Sequence, residues 1–215
     1  MTTQLIKRLE REPVLPLIEV DDADTGLAVA GALHAGGLRV VEVVQRSAAA
    51  LDCLALIAEQ MPDLLVGAGT VLSGDQAIEC IDAGAEFIVS PGVDDGVVDA
   101  TRSRGFDVIP GAMTPTELQR AFNLGLGVAK FFPASAAGGV PALKALGAVF
   151  RQLRFVPTGG VSVANLADYL ALDCVLACGG SWLAPADAVR AGDLARITAL
   201  AAEALAIATE VRGKR

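Results

Sequence analysis

Lys130 ends a short apolar run, Gly127-Val128-Ala129-Lys130-Phe131-Phe132, that Pro133 interrupts. An ammonium among Val, Ala and Phe loses hydration it would keep at the surface, so an amine there is expected to have a use beyond solubility. One that gives up its proton becomes a nucleophile toward a carbonyl. The other lysines, Lys7, Lys144 and Lys214, fall in a leading helix, a later helix and the C-terminal tail. The competing reading is structural: the stem of Lys130 snorkels and its ammonium pairs with a carboxylate.

A candidate carboxylate stands in Arg39-Val40-Val41-Glu42-Val43-Val44. In a strand, Glu42 shares one side with Val40 and Val44, away from Val41 and Val43. If that side faces Lys130, Glu42 and Lys130 meet at one site, with Arg46 just beyond the strand. A buried ion pair seldom adds stability once desolvation is counted, which weighs against a pair that only fills space. Imine chemistry has a use for it: the amine attacks a ketone and the carboxylate moves the protons.

A second constellation is made of glycines. Gly159-Gly160 precedes Ser162, and Gly179-Gly180 precedes Ser181. Each pair exposes backbone N–H groups without side-chain obstruction, as a phosphate requires, although either alone could be a tight turn. Thr70 and Thr158 end strand-like runs and can donate hydroxyl hydrogen bonds, whereas Pro91 can only shape a pocket.

The elements that must carry these groups follow from hydrophobic period and helix punctuation. A helix is expected over residues 3–11. Strands are expected over 14–20, 39–44, 64–70, 86–92, 106–111, 127–132, 154–160 and 174–180. Helices alternate with them, over 23–35, 48–60, 73–84, 94–105, 114–124, 141–150, 162–170 and 185–211. Thr114-Pro115-Thr116-Glu117 combines an N-cap, a proline at the first helical position and a glutamate at the third. Ser73 with Gln76 three residues on predicts a capping box. Eight apolar strands alternating with helices suit a closed parallel α/β barrel with a short leading helix, one domain spanning 1–215. In such a barrel the strand C-terminal ends converge on one mouth, and the loops after strands seven and eight often bind phosphate. An open doubly wound sheet is the alternative, but Gly67-Ala68-Gly69-Thr70 lacks the third glycine of a dinucleotide fingerprint and follows strand three.

Composition narrows the class. The 215 residues carry a net charge of −8, which argues against nucleic acid and anionic membranes, so an anionic substrate must be held by local groups. Hydrophobic residues make up 53%, yet charged residues interrupt every apolar run before the ~18 residues a membrane span needs. The N-terminus shows no apolar signal-peptide core, so a cytoplasmic location is expected. Four cysteines, at 53, 80, 174 and 178, lack zinc or redox-pair spacing and are expected to be buried, reduced thiols. His34 is the sole histidine, at an expected helix C-terminus, which excludes a Ser-His-Asp triad and leaves no basis for a multi-histidine zinc site.

Taken in order, Val41-Glu42-Val43, Gly67-Ala68-Gly69-Thr70-Val71-Leu72, Ser90-Pro91-Gly92, Lys130-Phe131-Phe132-Pro133-Ala134, Pro157-Thr158-Gly159-Gly160 and Gly179-Gly180-Ser181-Trp182 resemble the motif series of bacterial 2-dehydro-3-deoxy-6-phosphogluconate (KDPG) aldolases. The resemblance covers nearly the whole chain. It implies a class I aldolase on a TIM barrel, working without metal or cofactor, as a homotrimer acting on a phosphorylated keto acid. Lys130 would form the Schiff base and Glu42 would be the general acid/base. Arg46 and Thr70 would hold the pyruvate carboxylate, Phe132 and Pro91 would shape the pocket, and Thr158 would read hydroxyl stereochemistry. The N–H groups around Gly159, Gly160, Gly180 and Ser181 would bind phosphate. One departure stands out: members commonly read Glu-Val-Thr-Leu-Arg-Thr where this chain has Glu42-Val43-Val44-Gln45-Arg46-Ser47. A hydroxyl two residues after the base becomes Val44, and altered rate or substrate preference is expected. Cleavage of 4-hydroxy-2-oxoglutarate (KHG) is an expected side activity. The other readings are the galactonate-derived epimer as substrate, oxaloacetate decarboxylation through the same imine, and a silent sugar-phosphate-binding barrel.

Overall fold

The computed structural model describes residues 3–213. Helix α1 (Gln4–Arg11) leads into strand β1 (Val14–Ile18), and a strict alternation follows. It comprises α2 (Ala23–Ala35), β2 (Val40–Val44), α3 (Ala50–Gln60), β3 (Leu65–Gly69), α4 (Gly74–Asp82), β4 (Phe87–Ser90), α5 (Asp95–Ser103) and β5 (Asp107–Ala112). Then come α6 (Pro115–Asn123), β6 (Val128–Phe131), α7 (Gly139–Val149), β7 (Arg154–Pro157), α8 (Val163–Leu170) and β8 (Cys178–Gly180). A short 3-10 turn (Ser181–Leu183), α9 (Ala186–Ala191) and α10 (Leu194–Gly213) complete the described chain. All strand pairs are parallel, in the order β7-β6-β5-β4-β3-β2-β1-β8. Bridges Phe155–Val175 and Thr158–Gly179 join β7 to the β8 segment and close the barrel. The expected (βα)8 TIM barrel is what forms.

Two apolar clusters follow from the period-two strands. Outward residues such as Val41, Val43, Ile88, Phe131 and Phe155 pack against the ring of helices. Inward residues Leu15, Val40, Leu65, Phe87, Val89, Ile109, Val128, Val156 and Leu176 fill the lower barrel, and Leu5 and Leu9 of α1 plug it from below. With the floor sealed by hydrocarbon, polar inward side chains are confined to the upper layer. Helix starts hold the loops above it. Thr114 and Glu117 make the reciprocal capping box, with Glu117 Oε2 accepting from Thr114 N at 2.7 Å. Ser73 caps α4 through Gln76 N, but Gln76 Oε1 accepts from Leu72 N rather than from Ser73, so only half the expected box forms.

Three boundaries differ from the sequence reading for physical reasons. The eighth strand is ordered as a ladder only at 178–180, because the Arg212 guanidinium takes the carbonyls of Val175 (2.6 Å) and Leu176 (3.2 Å). The last helical region is broken where Gly192 adopts φ +65°, a left-handed C-cap that glycine accepts without cost. Helix α7 begins at Gly139, not Pro141, since a proline near a helix start gives up no needed N–H. No helix among the described residues is long and apolar enough to cross a membrane.

Candidate active site

Strands β2 and β6 carry Glu42 and Lys130 into the upper barrel. Glu42 lies beside Leu17 of β1 and Gly67 of β3 in register, and Lys130 lies between Gly111 of β5 and Val156 of β7. Their side chains meet: Lys130 Nζ donates to Glu42 Oε1 at 3.2 Å. Lys130 is 5% exposed and Glu42 wholly buried. Glu42 Oε2 has no partner among the described residues, an orphaned acceptor that buried carboxylates rarely tolerate without a purpose. The Phe132 ring stands over the amine, its centroid 5.3 Å from Nζ, within cation–π range.

Glycines on neighbouring strands make the room for this polar layer, and the sequence reading did not anticipate it. A Cβ on Gly69 would strike the Glu42 carboxylate, one on Gly67 the Phe87 ring, and one on Gly179 the Thr158 hydroxyl. Gly111 similarly lets the Pro91 carbonyl approach. The sequence shows Gly67-Ala68-Gly69 only as an incomplete dinucleotide fingerprint; in the fold, Gly69 leaves the hollow that admits the Glu42 carboxylate.

The remaining expected site residues fall around the same mouth with one qualification. Thr70 follows β3 with φ +62°, a left-handed conformation costly for a β-branched residue and typical of a site that over-determines its backbone. Thr158 is buried, donating to the Val156 carbonyl at 3.3 Å. Pro91 is half-buried in a cavity of about 230 Å³ with Val71, Leu72, Ser90 and Val93. Gly159 and Gly160 have φ +92° and +82°, and Gly159 packs on the Phe132 ring. Gly180 closes β8, and Ser181 opens the 3-10 turn. Arg46 is the exception: its guanidinium is half exposed and turned to Glu19 Oε2 at 3.2 Å. Ser47 Oγ donates to the Val20 carbonyl at 2.6 Å, which ties the loops carrying that pair together.

Burial tunes the thiols and phenol near this end. Cys178, below Gly180, is pushed far above the ordinary thiol range by burial, against a smaller pull from Arg212. Burial also raises the Tyr169 phenol, while an interaction with the Ser135 hydroxyl works the other way. Cys53, Cys80 and Cys178 are buried, whereas Cys174, expected to be buried too, is only partly so, and none of the four is in a disulfide; His34 lies in the last turn of α2, as read from the sequence. No group of His, Cys, Asp and Glu suited to hold a metal ion occurs among the described residues.

A desolvated amine touching a carboxylate with a vacant lone pair, at the C-terminal mouth of a (βα)8 barrel, defines the class of lysine-dependent barrel enzymes that work through imines. Residues 5–200 match the family model for KDPG and KHG aldolases, and the chain belongs to that family. It is 49% identical over 193 residues to the KHG/KDPG aldolase of Escherichia coli K12, covering 90% of this chain and 91% of that one. Among solved structures, it resembles the KDPG aldolase of Legionella pneumophila with pyruvate captured as a covalent carbinolamine. The TM-score there is 0.89 at 39% identity, over 93% of this chain and 97% of the other. The aldolase of Zymomonas mobilis ZM4 with 3-phosphoglycerate gives the same TM-score at 38% identity, over 96% and 97%.

Proposed function

We propose that this chain is a class I aldolase that reversibly cleaves KDPG to pyruvate and D-glyceraldehyde 3-phosphate. The observation that carries the reading is the buried Lys130–Glu42 contact with Oε2 of Glu42 left open. The Lys130 amine adds to the C2 ketone, forming a C–N bond; loss of water gives a protonated imine. Glu42 takes the proton of the C4 hydroxyl, directly or through water. The C3–C4 bond breaks, its electrons pass to the imine as an enamine, and C4 leaves as the aldehyde. Protonation of C3 and hydrolysis then return the lysine and release pyruvate.

The remaining roles follow the same substrate. Arg46 and Thr70 hold the carboxylate, Arg46 leaving Glu19 to do so. Phe132 and Pro91 bound the pyruvyl end, and Thr158 meets the hydroxyl carbons. The N–H groups around Gly159, Gly160, Gly180 and Ser181 receive the phosphate, a use supported by the positive φ of both Gly159 and Gly160. KHG is a second substrate of this proposal, because its cleavage leaves the same enamine on Lys130 and the E. coli relative bears both names. The enzyme acts in the cytoplasm, a reducing compartment that suits its unbridged cysteines. It is a homotrimer, whose assembly would cover exposed apolar side chains such as Leu72 and Met113.

The test is to incubate the protein with pyruvate, reduce with borohydride and map the adduct by mass spectrometry, alongside a cleavage assay on KDPG. An adduct on Lys130 with KDPG turnover is the expected result. A folded protein with no adduct there is instead a silent sugar-phosphate-binding barrel.

A further inference from the structure

The loop after β7 is stitched to the loop after β6 carbonyl by carbonyl. The Thr158 carbonyl accepts from Ala134 N at 2.8 Å and the Gly159 carbonyl from Ser135 N at 2.9 Å. The Gly160 carbonyl accepts twice, from Ser135 Oγ at 3.1 Å and from Asn165 Nδ2 at 3.0 Å. The N–H groups of Gly160 and Val161 donate to no partner among the described residues. In a trans peptide the carbonyl and the following N–H point opposite ways, so fixing the Gly159 and Gly160 carbonyls fixes the direction of the Gly160 and Val161 N–H groups.

Asn165 cannot turn its amide to serve otherwise. Its Oδ1 accepts from Ser162 N at 2.8 Å at the start of α8, which leaves Nδ2 facing Gly160. Gly160 is required twice over: it has φ +82°, and a Cβ there would strike Ser135 Oγ. We propose that Ser135 and Asn165 are positioning residues for phosphate recognition, whose side chains clamp the Gly160 carbonyl and so aim the Val161 N–H at the phosphate of the substrate, beside the Gly160 N–H that the bond from Ser135 N to the Gly159 carbonyl already fixes. The inference rests on the aldolase reading and adds to it two side chains that never touch the reacting carbons.

The test compares wild type with Ser135→Ala, Asn165→Ala, the double variant and Ser135→Thr. Three readouts are taken: KM and kcat on KDPG, competitive inhibition by inorganic phosphate, and the rate of borohydride trapping of pyruvate, which carries no phosphate. Losing one carbonyl clamp is expected to raise KM and the phosphate inhibition constant about 3–10-fold, with the double variant exceeding either single one. Pyruvate trapping and kcat should change less than about twofold, and Ser135→Thr, which keeps the hydroxyl, should restore KM. Equal losses in trapping and in KM, or no change in phosphate inhibition in the double variant, overturn the positioning role while leaving the aldolase intact. A wild-type protein that traps no pyruvate overturns the aldolase reading itself.

Discussion

Gly69 leaves the space that the Glu42 carboxylate occupies: a Cβ built on Gly69 would stand inside that carboxylate, one strand away. The acid of the site is therefore shaped by a glycine on β3, in register with Val44 and not with Glu42 itself. Gly69→Ala should displace Glu42 from Lys130 and lower kcat on KDPG by about 10²-fold or more, the scale of lost general acid–base catalysis. Gly67→Ala meets the Phe87 ring instead, and overpacking there should cost about 1–3 kcal/mol of stability with a smaller loss of kcat. Steady-state kinetics with thermal melts separates the two. Equal kcat losses in both variants would remove the assignment of Gly69 to the acid.

Lys130 and Glu42 are 88 residues apart in sequence and share one hydrogen bond, so each variant leaves the other buried and unpaired. Lys130→Met should abolish both pyruvate trapping and cleavage, and should destabilise the fold by about 3–5 kcal/mol because an uncompensated carboxylate remains. Glu42→Gln keeps the shape and the amine. It should still trap pyruvate while cleavage falls about 10²–10⁴-fold. Cleavage in Glu42→Gln at the wild-type rate would move the proton-transfer role to another group.

Much of this site was legible because local rules sufficed. Lys130 stands out as a charge in an apolar strand, parity puts Glu42 on one side of its strand with Val40 and Val44 without saying which side is the interior, and Thr114-Pro115-Thr116-Glu117 announces α6. What could not be read depends on contacts between strands distant in sequence. The hollow at Gly67 and Gly69 has meaning only once β3 lies beside β2. The Arg46–Glu19 contact joins the ends of β1 and β2, and the shortening of β8 follows from Arg212 near the end of α10. Charge and turn chemistry revealed which residues were unusual, and register decided which of them meet.

On the proposed role of Arg46, Glu19 is a competitor of the substrate carboxylate for its guanidinium. The ion pair is single and half exposed on both sides, so it is worth at most about 1 kcal/mol. Glu19→Gln should therefore lower the KM for KDPG by no more than about fivefold with kcat unchanged, and the gain should shrink as salt screens the pair. Arg46→Ala should raise KM in both backgrounds. A rise in KM on Glu19→Gln would mean instead that Glu19 presents Arg46 to the carboxylate.

Val44 ends β2 on the same inward side as Glu42 and is almost fully buried. Val44→Thr introduces a hydroxyl near an acid whose Oε2 lacks a partner, at little change in volume. The expected result is a shifted ratio of kcat/KM between KDPG and KHG with activity retained. Identical kinetics on both substrates would discard any role for this position in rate or preference.

The buried thiols should weaken the fold at alkaline pH. Burial, with a smaller contribution from Asp22, pushes Cys53 up to about 11, and burial with Glu79 does the same for Cys80. An exposed thiol titrates near ~8.5, so the unfolded chain loses these protons first. The stabilisation is complete below that value and is lost as pH rises toward the folded-state value. Urea midpoints should fall between about pH 8.5 and 11, and the fall should flatten in Cys53→Ala with Cys80→Ala. At pH 8 neither thiol should react with a thiol reagent on the timescale of the unfolded control. A double variant with the wild-type slope would assign the alkaline transition to other groups.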